Sequence, residues 1–498
     1  MKRHSVFISS VLITLGVIIY GVVDNSGLAA LSSKMMAAIN DYFSWFYLLG
    51  LPLMLVYLLY LALGKYGNVR LGHRKEKPEY STLSWFAMLF CAGTGIGLVF
   101  WSVAEPLTHF TTPPGNIVPG SVDAARFAIR TCFLHWAILP WTCFAVVGLG
   151  LAYFQFTKRQ NGLMSNLLLP IFGEKLIYGP VGHIIDIFAV LVSVAGVATS
   201  LGLGCMQICG GLNYLFGLPT GNTTYLIAII LISVIFISSS ISGIGKGIKY
   251  LSNINSYLAI ALLLLALFVV GPADKMLITL CDGLGNHLQN FVSDCLSVNP
   301  FGNNSWVMNW RVFYWAWWIA WAPFVGMFIA RISRGRTIRE FIIAVMLVPS
   351  LLTFLWFSVF GTLSIEAGSH WSLQELAKIA SAPDTAVFKI FSVCPMSTIL
   401  SLLVVALLAI FFITSADSAT FSLGMLTSQG ALNPPNWKKV VWGILEASMA
   451  FVLLSAGSIK PLQLVSIAAA LPFLLIMLLM CISLLKELRS KSAILNGR

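Results

Sequence analysis

The chain is a succession of apolar runs about twenty residues long, and nothing else in it restricts the fold as much. A helix needs roughly 20 apolar residues to cross the hydrocarbon layer of a bilayer. Such runs are read at about 6–22, 44–64, 83–104, 128–153, 184–209, 225–240, 257–271, 313–332, 342–363, 397–426, 440–455 and 465–485. No soluble domain longer than a loop is left between them. Of the 498 residues, 58% are hydrophobic and only 10% charged. A soluble domain carries about 25% charged residues, so this chain could not keep a polar surface against water. The expected fold class is an all-α polytopic membrane protein with about twelve transmembrane helices.

Charge placement tests the count. Twelve spans put both termini on one side. With that side assigned to the cytoplasm, 22 of the 30 Lys and Arg fall in inner segments and 8 in outer ones. The outer segments hold Asp24, Asp41, Glu105, Asp123, Asp274, Asp282, Asp294, Glu366, Glu375 and Asp384. Positive residues concentrate on the cytoplasmic side of membrane proteins, and a missing span would scramble the alternation. The net charge of +12 therefore reflects topology. Dispersed over short loops, it does not suggest a nucleic-acid partner. A bacterial inner-membrane location with cytoplasmic termini is expected. Lys2, Arg3 and His4 precede the first run as in a signal peptide. No small-x-small cleavage site follows Ile18–Val23, so the first span is expected to stay.

Nine cysteines are present, most of them inside spans, where cysteine packs as a small apolar residue. Cys281 and Cys295 share one outer loop and are the candidate disulfide. No metal-type CxxC pair appears.

Five sections follow. Residues 1–82 comprise two spans and a basic inner loop at 65–82. Residues 83–271 and 313–485 each hold five spans. Residues 272–312 form an outer loop in which Met276 to Leu296 reads as an amphipathic surface helix. Residues 486–498 are a short cytoplasmic tail. A second outer connection, 364–396, has a short helix expected near Leu373–Ala382. Two units of five spans must run in opposite senses, which is the arrangement of an inverted repeat.

Two spans are interrupted in matching positions. The third contains Gly93-Thr94-Gly95-Ile96-Gly97, and the eighth contains Pro323 and Gly326. Glycine and proline weaken helices. Loose backbone inside a membrane is tolerated only where protein or a water-filled cavity satisfies it, and paired breaks of this kind point to a binding site. Close helix packing through small faces is the alternative reading of the glycines.

The eighth span reads Phe313-Tyr314-Trp315-Ala316-Trp317-Trp318-Ile319-Ala320-Trp321-Ala322-Pro323-Phe324. Trp317 and Trp321 are four apart and share a helix face. His135-Trp136 and Pro140-Trp141 lie in the fourth span, and Phe100 and Trp101 follow the glycine run. A quaternary ammonium group has no proton to donate. An aromatic box holds it by cation–π attraction, worth about 2 kcal/mol for a desolvated contact, and no acid is needed. An interfacial aromatic belt is the competing reading. It is preferred for Tyr314 and Trp315, while Trp317, Trp318 and Trp321 lie deeper.

At these residues the chain resembles the betaine/carnitine/choline transporter (BCCT) family. The run Phe313 to Phe324 is similar to that family's signature, and Ala330-Arg331-Ile332-Ser333-Arg334-Gly335-Arg336-Thr337 continues it. So do the glycine-rich third span with Ala104-Glu105-Pro106, the His135 to Trp141 segment, and Thr414-Ser415-Ala416-Asp417-Ser418. The resemblance implies a LeuT-type 5+5 inverted repeat over spans 3–7 and 8–12, alternating access and a homotrimer in membrane lipid. It implies a cage of Trp317, Trp318, Trp321, Trp136, Trp141 and Phe100, with Phe144 where a tyrosine is common. Gly93, Gly95 and Gly97 would line the same site. No cofactor is implied beyond Na⁺ as coupling ion. Its site would use carbonyls of Cys91, Thr94 and Phe411 and hydroxyls of Thr414 and Ser415. A second site would match Ser193 and Phe324, but Val197 there has no side-chain ligand.

The family's sodium-independent exchangers carry an arginine where this chain has Asn255 and a methionine at Val325, which favours sodium coupling here. Gly97 replaces the aspartate of a proton-coupled choline subgroup. The resemblance thus implies symport of a quaternary ammonium solute such as glycine betaine, carnitine or choline. Substrate exchange or proton coupling is the alternative. An intramembrane enzyme lacks support, since no span contains HExxH, GxGD or GxSG. Asp417 and Glu446 are intramembrane acids, which are functional candidates by default.

Overall fold

The apolar runs become helices because hydrocarbon leaves the backbone no other way to satisfy its polar groups. The computed structural model describes residues 4–93, 95–242, 245–298, 302–456 and 459–496. In chain order the helices are α1 (Ser5–Val23), α2 (Asn25–Leu63), α3 (Thr82–Gly93), α4 (Ile96–Thr111), α5 (Val122–Trp136), α6 (Ile138–Ala152), α7 (Leu169–Ile177), α8 (Pro180–Phe216), α9 (Asn222–Ser242) and α10 (Gly245–Leu265). They continue with α11 (Ala273–Leu296), the single turn α12 (Ser305–Val307), α13 (Phe313–Ile332), α14 (Ile338–Ala367), α15 (Leu373–Ala380), α16 (Pro383–Phe391), α17 (Ser397–Leu426), α18 (Asn436–Ser455) and α19 (Lys460–Asn496).

Ten helical segments among the described residues are long and apolar enough to cross a bilayer. They account for ten of the twelve runs. The third run is divided between α3 and α4, each too short to cross alone. The eleventh is α18, whose apolar stretch carries Lys438, Lys439 and Glu446. The amphipathic outer helix is α11, and the short outer helix is α15, followed by α16.

Three expectations change. The eighth span is not broken: α13 runs through Pro323 and Gly326 as one helix. A proline removes one donor, and neighbouring helices stabilise the helix on both sides of it. The close packing is visible at Gly326, where a Cβ would lie 2.7 Å from Val147. The second break falls instead in the fourth run, at Ala137 (φ −99°, ψ −133°), between α5 and α6. Finally, Cys281 and Cys295 are both unbonded. Fourteen positions apart on α11, they are separated by about 21 Å along its axis, beyond the reach of any disulfide.

Helix α13 packs against α6, α8 and α19. Its C-terminal end is tied to the basic loop at 65–82. Leu71 N–H donates to Arg336 O (2.8 Å), Gly335 N–H to Leu71 O (2.8 Å) and Ile338 N–H to Val69 O (2.9 Å). Arg334 pairs with Glu76 (Nε–Oε1 2.6 Å). The His73 backbone N–H, with Arg334 alongside, holds the Glu76 carboxyl below the ordinary carboxylate range. Gly335 sits at φ +80°, and a Cβ there would lie 2.4 Å from Lys77 O. Gly335→Ala is therefore expected to cost about 1–3 kcal/mol. The check is a lowered thermal unfolding midpoint for the detergent-purified protein.

Candidate functional site

The two breaks and the uninterrupted α13 line one partly open pocket with a cavity volume of about 60 Å³. Its walls are Gly95, Ile96, Gly97 and Leu98 at the start of α4, Trp136 of α5, Phe144 of α6, Ser200 of α8, and Trp317, Trp318 and Trp321 of α13. Among the described residues, no acid lines it. Gly95 is extended (φ −153°, ψ 179°) and precedes α4 without any side-chain cap. The first N–H groups of a helix have no intrahelical acceptor, and with the helix dipole they favour an anion. Gly97 is a requirement of packing. A Cβ there would lie 2.5 Å from Trp317 Cη2 and 3.0 Å from Trp136 Cη2.

The rings stand nearly perpendicular to one another. Trp136 meets Trp317 at 6.1 Å and 80°, and Trp318 at 5.8 Å and 75°. Phe144 lies 5.1 Å from Trp318. Trp136 and Trp317 are buried, while Trp318 and Trp321 are half-buried. Such a box presents several ring faces, the negative side of each ring's quadrupole, to one volume.

Each indole N–H of the box is anchored. Trp317 donates to Ser200 Oγ (3.1 Å). Trp321 donates to Gly196 O and Ser200 Oγ, both at 3.1 Å. Trp318 donates to His135 O (3.0 Å), a carbonyl in the last turn of α5 that the break at Ala137 leaves without its helical donor. Trp136 donates to Glu105 Oε2 (2.7 Å), which also accepts from Tyr314 Oη (2.5 Å). His135 Nδ1 lies 2.7 Å from Glu105 Oε1.

Three residues thereby change place. Glu105, assigned to an outer segment, is fully buried. Tyr314 and Trp315 are also fully buried and are not belt residues. Tyr314 stacks on His135 at 4.6 Å, where a belt residue would meet lipid headgroups. The N-terminal end of α13 is covered by protein.

The remaining expected residues are distributed as follows. Trp141 and Phe100 are buried and do not line the cavity. Trp141 backs Phe144 (5.2 Å) and Trp318 (6.0 Å), and Phe100 packs on Trp101. Gly93 ends α3, and Cys91 lies within it. Thr94 lies outside the described residues. On α17, Phe411 is buried and Thr414 and Ser415 are half-buried. Thr414 Oγ1 donates to Ile410 O (2.9 Å) in the preceding turn. Ser193 Oγ does the same to Ala189 O (2.8 Å), and Phe324 packs on Trp321. Glu446 accepts from Thr420 Oγ1 (2.9 Å), and Asp417 is buried on the same pair of helices. Ser200, Gly196 and Glu105 were not expected as anchors, since each is more than 30 residues from at least one ring it holds.

Comparison with known proteins gives the family. Residues 5–493 match the BCCT, betaine/carnitine/choline family transporter. This chain belongs to the BCCT family. It is 47% identical to the glycine betaine transporter OpuD of Bacillus subtilis, over 98% of this chain and 95% of that protein. It is 40% identical to the ectoine/hydroxyectoine transporter of Virgibacillus pantothenticus (98% and 96%). It is 38% identical to a glycine betaine transporter of Acinetobacter baylyi (98% and 74%). The protein is a multi-pass membrane transporter and not an enzyme.

Two substitutions test the geometry. Gly97→Ala should push Trp317 and Trp136 apart and weaken ligand binding at least about tenfold, with normal membrane insertion. Glu105→Gln removes a charged acceptor worth about 1.5–3 kcal/mol and should weaken binding about tenfold or more. Both are read by ligand-induced tryptophan fluorescence.

Proposed function

We propose that the protein is a sodium-coupled symporter of glycine betaine or a closely similar betaine, working by alternating access. The observation that carries this reading is a cavity with four anchored aromatic side chains on one side, an uncapped helix start on the other and no acid in its lining. A trimethylammonium group fits the rings of Trp136, Trp317, Trp318 and Trp321 by cation–π attraction and methyl contact. The first-turn N–H groups of α4 complement a carboxylate a few ångströms away. Choline has no carboxylate to use them. The names of the relatives support glycine betaine, and one of them supports ectoine as the second reading.

For the ion, the proposal uses the carbonyls of Cys91, Thr94 and Phe411 and the hydroxyls of Thr414 and Ser415. Sodium takes hard oxygen donors, and α17 packs against α4 beside the break. Thr414 Oγ1 donates its proton to Ile410 O and keeps its lone pairs for the ion. Ser193 and Phe324 are left out of this proposal, because Val197 beside them supplies no side-chain oxygen. The inverted 5+5 repeat, the homotrimer, the inner-membrane location and the cytoplasmic termini belong to the same proposal. They rest on the family and on the Lys and Arg asymmetry.

Uptake of labelled glycine betaine into proteoliposomes tests the function. An inward sodium gradient should raise the initial rate at least about tenfold, and an equal rate without sodium would exclude symport. Ectoine competing better than glycine betaine would favour the second substrate. Trp318→Leu should reduce glycine betaine binding by about thirtyfold, the equivalent of one 2 kcal/mol contact, while the protein still inserts.

A further inference from the structure

Glu105 has a second side. Oε2 is engaged by Trp136 and Tyr314, but Oε1 faces two imidazoles. It lies 2.7 Å from His135 Nδ1 and 3.5 Å from His109 Nε2, and the three ligand atoms all lie within 4.8 Å of one another. All three side chains are fully buried. Glu105 and His109 are one turn apart on α4 and share a face, while His135 comes from the last turn of α5. Hydrogen bonding leaves much of this cluster unsatisfied. Both ring nitrogens of His109 and Nε2 of His135 have no hydrogen-bond partner among the described residues. At 3.5 Å the His109–Glu105 contact is too long for a good hydrogen bond. Orphaned buried polar atoms cost free energy, and a cation at the centre of the cluster would engage the free Nε2 of His109 together with the two atoms beside it.

We propose that Glu105, His109 and His135 form a binding site for a borderline-soft divalent cation of the Zn²⁺ class, outside the substrate cavity. The ligands are Glu105 Oε1, His109 Nε2 and His135 Nδ1. One carboxylate and two imidazoles form a set that Zn²⁺ takes, with metal–ligand distances of about 2.0–2.2 Å. Ligand atoms around a tetrahedral ion at that distance stand about 3.3 Å apart, close to the 2.7 and 3.5 Å separations found here. Sodium, magnesium and calcium prefer oxygen donors, and the site offers one oxygen against two nitrogens. The ion replaces the His135 Nδ1–Glu105 Oε1 hydrogen bond; with the His135 proton moved to Nε2 and the His109 proton on Nδ1, binding entails no net loss of a proton. The positive group nearby, Arg311, is paired with Asp294 (3.4 Å), which moderates its repulsion. Trp310, 4.4 Å from the His109 ring, and Trp306, 5.3 Å from it, wall the site. Entry therefore accompanies an opening of that wall, and binding is slow.

Because Glu105 also holds Trp136 of the cage, an ion on Oε1 fixes the cage wall from behind and slows transport. The test uses the full-length protein purified in detergent and stripped with chelator. Equilibrium dialysis against Zn²⁺ should show one tightly held ion per chain, and Co²⁺ should give the visible absorption of a tetrahedral nitrogen and oxygen site. His109→Gln should lower the affinity at least a hundredfold and leave metal-free uptake intact. His109→Cys, which keeps a ligand atom, should retain binding within about tenfold. In proteoliposomes Zn²⁺ should slow uptake by the native protein and not by His109→Gln. No stoichiometric ion in the native protein would overturn the proposal. So would unchanged affinity in His109→Gln, or an octahedral Co²⁺ spectrum of surface histidines alone.

Discussion

The four indole N–H groups of the box each have an acceptor, whereas the buried indole nitrogens of Trp101, Trp141, Trp306 and Trp315 around it have none among the described residues, and that selective anchoring organises the site. Burying a polar group without a hydrogen bond costs several kcal/mol in an apolar medium. A helix in hydrocarbon has few carbonyls to spare, because its own N–H groups take them. The box assembles four indoles and provides four acceptors. It finds them in a buried carboxylate, a serine hydroxyl, a carbonyl freed by a helix break and a shared helical carbonyl. The same contacts fix the ring planes, so the cage is rigid before any solute enters. Preorganisation of this kind removes part of the ordering cost of binding.

The two helix breaks thus have different tasks. The one before α4 leaves first-turn N–H groups facing the cavity, and this is where a negative group is favoured. The one at Ala137 frees the carbonyl that holds Trp318. Helix α13 stays whole because it must carry three rings at fixed spacing. A kink at Pro323 would rotate Trp321 and Phe324 away from Trp317 and Trp318.

Much of this was legible in the residues. Apolar run length revealed the helices, and the Lys and Arg alternation supported their number. The glycines at 93, 95 and 97 marked the break before α4. Pro323 misled, because a proline inside a well-packed helix need not end it, whereas Pro140 in the first turn of α6 accompanies the real second break. Tyr314 and Trp315 were misread for a related reason. A belt is defined by what covers a helix end, and here His135, Trp306 and Trp310 cover it. The anchors Ser200 and Glu105 were illegible, since their partners Trp317 and Tyr314 are 117 and 209 residues away. Local spacing carries no trace of such pairs.

The central claim is that ring faces, and not a counter-ion, hold the positive end of the solute. It is tested most directly with two ligands of one shape: glycine betaine and its neutral-headed isostere 3,3-dimethylbutanoate, in which carbon replaces the nitrogen. Both fill the cage and both keep the carboxylate. Their dissociation constants for the purified protein, measured by tryptophan fluorescence, should differ by at least about thirtyfold in favour of glycine betaine, from about 2 kcal/mol of cation–π attraction. Equal affinities would contradict the account.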